Sequence, residues 1–232
     1  GIIAPELKAT LGITTEQYSW IVGAFQLAYT IFQPLCGWLI DVIGLKLGFM
    51  ICATLWALAC IAHAGAGSWL HLAMLRFFMG GAEAAATPAN AKTIGEWFPK
   101  SERPIAAGWA GVGFSIGAML APPIIYFAHA SFGWQGAFMF TGALALLWVV
   151  LWWAFYQTPE KHPNLSKSEL EYIKQDNEAP PVKQPFFTAL KTVSKNKRFY
   201  RIAIPAFMAE PAWAVLSFWV PLYLAKEHGM DL

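Results

Sequence analysis

The chain has 232 residues, of which 57% are hydrophobic, 16% aromatic and 13% charged. A soluble domain carries roughly a quarter charged residues, so this composition indicates a surface that is not mainly exposed to water. The formal net charge of +2 is too small to indicate a nucleic-acid partner. Three cysteines lie in apolar segments without a CxxC spacing, so we predict neither a disulfide framework nor a metal site.

Six apolar segments are long enough to cross a bilayer, whose core of about 30 Å needs about 20 helical residues. No charged leader precedes any of them, so a secretory signal does not explain them. The sequence therefore predicts an all-α integral membrane protein, a polytopic bundle of transmembrane helices. The segments lie at residues 17–40, 47–66, 69–92, 104–128, 135–156 and 200–224.

The basic residues divide the loops between the two sides of the membrane. Thirteen of the sixteen lysines and arginines lie in the turn at 41–46, around 92–103 or in the polar stretch 157–201. The positive-inside rule places these regions in the cytoplasm. The first segment then runs from outside to inside, so we expect an earlier crossing before Gly1 and further helices after Leu232.

The polar stretch also predicts the domain organisation. We expect an N-terminal helical half at 1–156, a cytoplasmic loop with short amphipathic helices at 157–199 and the start of a C-terminal half at 200–232.

Two short helices are expected in that loop. Ser166 and Glu169 have the spacing of a capping box, which predicts a helix through Ile173. From residue 186, apolar residues alternate with lysines, a pattern typical of a helix in the cytoplasmic membrane interface. A nucleic-acid patch is the alternative, but the adjoining membrane already explains the charge.

A charged face runs along the third apolar segment. Arg76, Gly80, Glu83 and Thr87 follow i, i+4, i+7 and i+11 spacing, so they share one side of a helix. A charged residue near the bilayer centre costs about 2.5–3.5 kcal/mol on insertion scales. We therefore expect this face to meet protein or a water-filled cavity.

Two interpretations of these charges are open. They could form a buried ion pair that only fixes helix packing, although a seven-residue separation strains direct contact and such pairs stabilise weakly. We favour the second interpretation, in which Arg76 attracts an anionic solute and Glu83 takes up and releases a proton. Burial and a neighbouring cation act in opposite directions on the proton affinity of a carboxylate, so movement of either changes it.

Other segments contribute polar groups. Gln26, Tyr29 and Gln33 form a polar stripe that could bind sugar hydroxyls, or equally hydrogen-bond neighbouring helices. Glu210 lies beside Pro211, and a proline-broken helix with a carboxylate is typical of transporter cavities. We also expect a helix interruption at Pro122 and Pro123. The histidines are scattered, and no metal ligand set is predicted.

The segment "GWLIDVIGLKLGF" at 37–49 resembles the G-x-L-x-D-x-x-G-x-K loop of the major facilitator superfamily. Gly37, Asp41, Gly44 and Lys46 occupy its positions, together with Leu39. The glycines permit a tight turn, and Asp41 can accept a hydrogen bond from a helix N-terminus or a basic residue. Such a contact could hold one conformation of a rocking cycle.

Within that superfamily, "RFFMGGAEAAATPANAKTIGEWFPKSERPIAAG", "SIGAMLAPP" and "AEPAWAVLSFWVPLYL" are similar to the anion:cation symporters, particularly the bacterial hexuronate transporters. The resemblance implies a proton-coupled symporter in the inner membrane that imports a sugar acid such as galacturonate or glucuronate. It implies twelve helices, six of them present, in two halves that rock about a central site.

The resemblance also implies roles for individual residues. Arg76 and Tyr29 would contact the substrate, and Glu83 would carry the proton. Gln26, Gln33 and Glu210 are further candidates. The only coupling ion is a proton, no other cofactor is implied, and the lipid bilayer is the one partner besides the substrate. No obligate protein partner is predicted.

Three alternatives remain at this point. A related anion such as galactonate or glucarate could replace hexuronate. A membrane-embedded enzyme would need paired catalytic residues at one depth, and the sequence offers none. A channel would favour rings of equivalent residues rather than one asymmetric face. We therefore predict a transporter and not an enzyme.

Overall fold

The structure is a computed structural model that describes residues 4–176, 184–216 and 223. The side chains of residues 4, 5, 210, 211, 213 and 214 lie outside this description, and so does the predicted role of Glu210. The chain divides into two compact units, Ile3–Lys183 and Gln184–Leu232 together with Gly1–Ile2. Each unit is considered by itself.

Within the described residues the chain forms helices and no β-strand, which confirms the predicted all-α class. The first unit contains α1 (Ala4–Leu11), α2 (Thr15–Ile43), α3 (Leu45–Ala62), α4 (Trp69–Glu83), α5 (Ala86–Trp97), α6 (Arg103–Phe155) and α7 (Lys167–Ile173). Short 3₁₀ turns occupy His63–Gly65 and Pro159–Lys161. The second unit contains α8 (Phe186–Lys195) and α9 (Lys197–Ala214).

Polar caps fix several helix starts, because the first backbone N–H groups of a helix have no partner within it. The Thr14 hydroxyl accepts from the Gln17 N–H at 3.1 Å and begins α2. Ser68 begins α4 by accepting from the His71 N–H at 3.2 Å. The capping box predicted at Ser166 is confirmed, since its side chain and that of Glu169 each bond the other's backbone.

Two helices of the described residues are long and apolar enough to cross a membrane, Leu45–Gly65 and Arg103–Phe155. The second has 53 residues, about 80 Å at 1.5 Å per residue, which is more than twice a bilayer core. Gly133 divides it with a φ of 69° and a ψ of −177°, a conformation available mainly to glycine. These two parts match the predicted segments 104–128 and 135–156.

The interruption predicted at Pro122 and Pro123 is wrong, because both lie inside α6. Proline fixes φ near the helical value of about −65°, so what it removes is the N–H that would reach four residues back. The helix is interrupted instead at Gly133, whose backbone angles are available mainly to glycine.

The first unit is held together by two helix pairs, α2 with α4 and α3 with α6. One core cluster contains Cys36, Ile40, Phe49, Cys52 and Tyr156 with the small residues of the α4–α5 junction. Large apolar side chains such as Trp109 (72%) and Phe155 (75%) are exposed on the outside. A bundle with an apolar exterior suits a lipid environment.

Candidate functional site

The predicted third span is not one continuous helix. α4 ends at Glu83, α5 begins at Ala86, and the junction consists of Ala84 and Ala85. Pro88 has no N–H to donate to the Ala84 carbonyl, and the Ala85 N–H turns to the Ala82 carbonyl three residues back, at 3.3 Å. The regular i→i−4 hydrogen bonding is therefore interrupted immediately after the half-buried Glu83, while Ala84 and Ala85 keep right-handed helical backbone angles.

The charged face of this broken helix is turned towards α2. The Arg76 guanidinium carbon lies 5.8 Å from the centre of the Phe25 ring, within the range of a cation–π contact. A Cβ added at Gly80 would lie 2.5 Å from the Phe25 carbonyl oxygen, so the two backbones nearly touch there. The hydroxyls of Tyr29 and Thr87 share a hydrogen bond of 3.0 Å. The prediction that this face avoids lipid is thus met along its contact with α2.

Arg76 and Glu83 are both half-buried. Among the described residues, Arg76 and Glu83 form no ion pair with each other, as their separation along the helix predicts. Two opposite charges therefore share an interior region without neutralising each other by direct contact.

The three polar residues of α2 have different surroundings. Tyr29 is half-buried, hydrogen-bonded to Thr87 and stacked on Phe25 with ring centres 5.9 Å apart. Gln33 is half-buried and Gln26 is exposed. The structure therefore brings Tyr29 to the charged face through Phe25 and Thr87. The binding roles assigned to all three stay predictions.

Sequence reasoning did not single out His63, which is fully buried at the end of α3. Its Nδ1 donates to the Ala59 carbonyl at 2.7 Å, and its ring stacks on Phe138 with centres 5.0 Å apart. Nε2 is buried and has no hydrogen-bond partner among the residues that the structure describes. The same part of the chain contains no cluster of metal ligands.

The loop motif joins α2 to α3 and to α5. Gly44 supplies the turn with a φ of 93°, as expected. Gly37 does not form part of the turn, because it lies inside α2. A Cβ added at Gly37 would lie 3.3 Å from Pro88 Cβ. Its lack of a side chain permits close helix contact instead. Of the two partners considered for Asp41, a helix N-terminus and a basic residue, the structure shows the second, since Lys92 Nζ lies 2.6 Å from Asp41 Oδ1.

Lys46, the last residue of the motif, is half-buried near the start of α3. Its backbone carbonyl accepts a hydrogen bond of 3.1 Å from Trp152 Nε1. Trp152 stacks in turn on Tyr156, with ring centres 4.0 Å apart. The motif is therefore also fixed to the end of α6.

Residues 157–176 attach to the segment that joins α5 to α6. Tyr172 donates to the Glu102 carboxylate at 2.6 Å, and the Lys100 N–H donates to Asp176 at 2.6 Å. Within the segment, Lys174 and Glu160 form an ion pair of 2.8 Å. This first part of the predicted loop is thus anchored to the first unit.

Three details of the site were not predicted from the sequence: Phe25 under Arg76, the break in regular hydrogen bonding after Glu83, and which residue pairs with Asp41. Pro88 was the available signal for the break, because proline inside a helical pattern removes a backbone bond. Nothing local in the sequence signals the other two contacts, since they join residues 51 positions apart in each case.

The sequence model of the Major Facilitator Superfamily matches residues 1–232. The chain is 44% identical to a hexuronate transporter of Escherichia coli (strain K12), over 99% of this chain and 53% of that protein. It is also 44% identical to a galacturonate transporter of Dickeya chrysanthemi, over 99% of this chain and 67% of the other. A D-galactonate transporter of Escherichia coli O6:H1 is 28% identical over 99% of this chain and 55% of its own length.

A solved structure shares the fold. It is a crystal structure of a bacterial homologue of the human lysosomal transporter Spinster in an inward-facing and occupied conformation. The TM-score is 0.63 at 18% identity, over 99% of this chain and 50% of the other. The chain thus spans about half the length of the E. coli relative and of this structure. With a family match along its whole length and two relatives at 44% identity, the chain belongs to the Major Facilitator Superfamily.

Proposed function

We propose that the protein is a proton-coupled symporter that imports a sugar acid, with hexuronate as the substrate, by alternating access in the inner membrane. The observation that carries the proposal is the pair of half-buried, unneutralised charges Arg76 and Glu83 on a helix face turned towards α2. The two relatives at 44% identity, named as hexuronate and galacturonate transporters, support the choice of substrate class.

Arg76 is the proposed anion-binding group. Its guanidinium carries five N–H donors in a plane and matches the geometry of a carboxylate. The Phe25 ring contacts the guanidinium carbon from its face at 5.8 Å, and a ring in that position leaves the N–H groups at the edge available to a ligand. Tyr29, Gln33 and Gln26 then provide neutral donors and acceptors for the sugar hydroxyls.

Glu83 is the proposed proton carrier. Burial favours the neutral form of a carboxyl group, and a nearby cation favours the charged form. If an anion occupies Arg76, the cation acts less on Glu83, and protonation of Glu83 is favoured. A bound anion and a bound proton then stabilise each other, which is the thermodynamic coupling of symport. The interruption of regular hydrogen bonding lies directly beside this carboxyl, because Glu83 is the last residue of α4.

The test uses proteoliposomes with the full-length protein that carries this sequence. Glu83→Gln stands in for the protonated glutamate, so we expect counterflow exchange of galacturonate to persist while accumulation driven by a pH gradient is lost. Glu171→Gln, on the exposed surface of α7, is the matched control and should keep both activities. Full proton-driven accumulation by Glu83→Gln would refute the role of Glu83.

Arg76→Ala tests the anion site separately. A hydrogen bond to a charged group contributes about 1.5–3 kcal/mol, so we expect galacturonate affinity to fall roughly 10- to 150-fold. Arg76→Lys keeps the positive charge but loses the planar set of guanidinium donors. Its affinity for galacturonate should lie between those of the parent protein and Arg76→Ala. Unchanged affinity in Arg76→Ala would remove this residue from the substrate site.

A second substrate class has specific support, because the D-galactonate transporter is 28% identical over nearly the whole chain. Competition for uptake among galacturonate, glucuronate, galactonate and glucarate separates the candidates, and we expect the two hexuronates to compete most strongly. Counterflow distinguishes a carrier from a channel. Recovery of chemically unchanged substrate excludes a membrane-embedded enzyme.

A further inference from the structure

The segment from α8 to the middle of α9 has one sign of charge. Residues 186–209 contain no aspartate or glutamate, and their five basic residues are Lys191, Lys195, Lys197, Arg198 and Arg201. Each of these side chains is exposed. Such a cluster attracts an anionic surface, and nothing acidic within the segment offsets it.

α8 also carries an exposed apolar face. Phe187, Leu190 and Val193 follow i, i+3 and i+6 spacing, and they are 80%, 46% and 47% exposed. Lys191, Thr192 and Lys195 lie at the edge of this face or opposite it. A ten-residue helix with an apolar face and basic flanks has the properties of helices that lie in the plane of a membrane interface.

The junction between α8 and α9 fixes where α8 can lie. Asn196 alone separates the two helices, with an extended backbone at φ −81° and ψ 113°. Its Oδ1 accepts from the Arg198 N–H at 3.0 Å and its carbonyl accepts from the Phe199 N–H at 3.0 Å, so it begins α9. The chain therefore changes direction here, and the end of α8 stays within one residue of the start of α9.

The start of α9 has the character of a membrane boundary. Phe199 and Tyr200 are exposed in its first turn, as interfacial aromatic residues are. Beyond them, Ile202, Ile204 and Phe207 are 75%, 55% and 78% exposed, and no charged residue occurs between 202 and 209. α9 is thus suited to enter the hydrocarbon core directly after Arg201.

We propose that α8 is a surface anchor that lies on the cytoplasmic leaflet, with Phe187, Leu190 and Val193 among the acyl chains and Lys191 and Lys195 on anionic headgroups. The inference rests on α9 entering the membrane, as the proposed function requires. The partner is the anionic lipid of the same bilayer. Its chemistry complements both faces of the helix, whereas a nucleic acid offers nothing to the apolar face. The direct connection of α8 to α9 favours the bilayer that α9 enters over a separate acidic protein, and the quenching experiment below distinguishes the two.

The test places an environment-sensitive fluorophore on one introduced cysteine in the full-length protein. Phe187→Cys reports the apolar face, and Thr192→Cys, about 140° further round α8 at 100° per residue, is the matched control. Cys36, Cys52 and Cys60 are buried, and labelling of the unsubstituted protein gives the background. The protein is studied in nanodiscs of neutral phosphatidylcholine with or without phosphatidylglycerol.

In discs with phosphatidylglycerol, we expect spin-labelled lipid to quench the Phe187→Cys fluorophore and aqueous iodide to quench that of Thr192→Cys. Adding Lys191→Gln and Lys195→Gln to Phe187→Cys should raise iodide access severalfold in these discs and leave it unchanged in neutral discs, since one basic residue near an anionic surface contributes roughly fivefold to binding. Fluorescence quenching does not depend on transport, so the experiment tests the position of α8 independently of the proposed substrate.

Three results would overturn the anchor. Equal iodide access at both positions would show that α8 lies in water. A fluorophore at Phe187→Cys shielded from both quenchers would show that protein covers the apolar face. An effect of the lysine substitutions that is the same in neutral and anionic discs would exclude headgroup charge as the partner.

Discussion

At the scale of the residue, the arrangement around Arg76 argues for a ligand that comes from outside the described chain. A buried cation is costly unless it is paired or hydrogen-bonded. Arg76 meets the face of Phe25 and forms no ion pair with Glu83 within the described residues. A structural ion pair would have used the guanidinium N–H groups. The arrangement is therefore compatible with the anion-binding role proposed for Arg76.

Gly80 provides a prediction about the packing under that arginine. A Cβ at Gly80 would lie 2.5 Å from the Phe25 carbonyl oxygen, so Gly80→Ala forces α2 and α4 apart. Overpacking of this kind costs about 1–3 kcal/mol, and we expect a lower unfolding temperature and weaker galacturonate binding, because Phe25 carries the ring beneath Arg76. Thermal unfolding in detergent and equilibrium binding measure the two effects.

Gly95→Ala is the matched control, since Gly95 lies in α5 with nothing within 4 Å of an added Cβ. Alanine favours a helix over glycine by about 0.5–1 kcal/mol, so this variant should be at least as stable as the parent. If Gly80→Ala behaved like Gly95→Ala in both measurements, the close contact of α2 with α4 would not be important.

At the scale of the element, a substitution at the break between α4 and α5 should change stability and activity in opposite directions. Pro88→Ala restores an N–H that can reach the Ala84 carbonyl, and proline costs up to about 3 kcal/mol in a helix interior. We expect the variant to unfold at a higher temperature. If α4 and α5 move separately during transport, it should also transport more slowly, because the added hydrogen bond joins them more firmly. Initial rates of uptake and counterflow, together with thermal unfolding, check both.

Two outcomes would contradict this view of the break. A more stable Pro88→Ala protein with unchanged transport would make the interruption a packing detail. Lower stability would show that the proline ring itself is needed, because Pro88 also fills the space beside Gly37. The first outcome bears on mechanism, and the second on the contact of α2 with α5.

The 157–176 segment has a pH dependence that follows from its carboxylates. The Lys174 ammonium lowers the pKa of Glu160, and the Ser166 backbone and hydroxyl lower the pKa of Glu169. A lowered folded-state pKa means that the stabilisation is complete above the ordinary glutamate value of about 4.3 and is lost as the pH falls through the lowered value. We therefore expect α7 and its ion pair to loosen in acid.

Hydrogen exchange of residues 158–174, corrected for the intrinsic exchange rate at each pH, should show this loss only below the ordinary glutamate pKa. The double variant Glu160→Gln and Glu169→Gln lacks both titrating groups. It should show reduced protection already at pH 6, with little further change in acid. Loosening of the parent at pH 6 itself would mean that other groups control the segment.

At the scale of the whole molecule, much of the fold could be predicted because the bilayer imposes length and polarity on each span. The all-α class and the family are confirmed, as are the capping box at Ser166 and the basic partner of Asp41. These features depend on local spacing or on a motif of a few residues. The division of the chain at 156 and 199 and the residue roles in the site stay predictions.

Tertiary contacts were less accessible, for a physical reason. Periodicity places Arg76 and Glu83 on one face but does not say which ring or helix meets that face. Proline was not a reliable signal of a helix break. The helix continues through Pro122, where a break was predicted, but its regular hydrogen bonding is interrupted before Pro88, where a continuous span was predicted. Local sequence sets the energy of each backbone conformation, and tertiary packing determines which conformation is adopted.

The ion pair of Asp41 and Lys92 supports the last prediction. Both residues belong to the first unit, so the pair joins α2 to α5 within that unit. With Asp41 57% exposed, such a pair contributes about 0–1 kcal/mol of stability, which is too little to matter for folding. We expect Asp41→Asn and Lys92→Gln each to lower the transport rate severalfold with little change in unfolding temperature.

The exchange of charges, Asp41→Lys with Lys92→Asp, then decides what the pair does. If the attraction between α2 and α5 is what matters, the double exchange should recover a large part of the rate lost in either single variant. If Asp41 acts instead on a different partner in another conformation, the exchange should be as inactive as Asp41→Lys alone. Initial uptake rates at equal protein density in proteoliposomes distinguish these two alternatives. Recovery of the rate would show that the motif acts by holding α2 to α5.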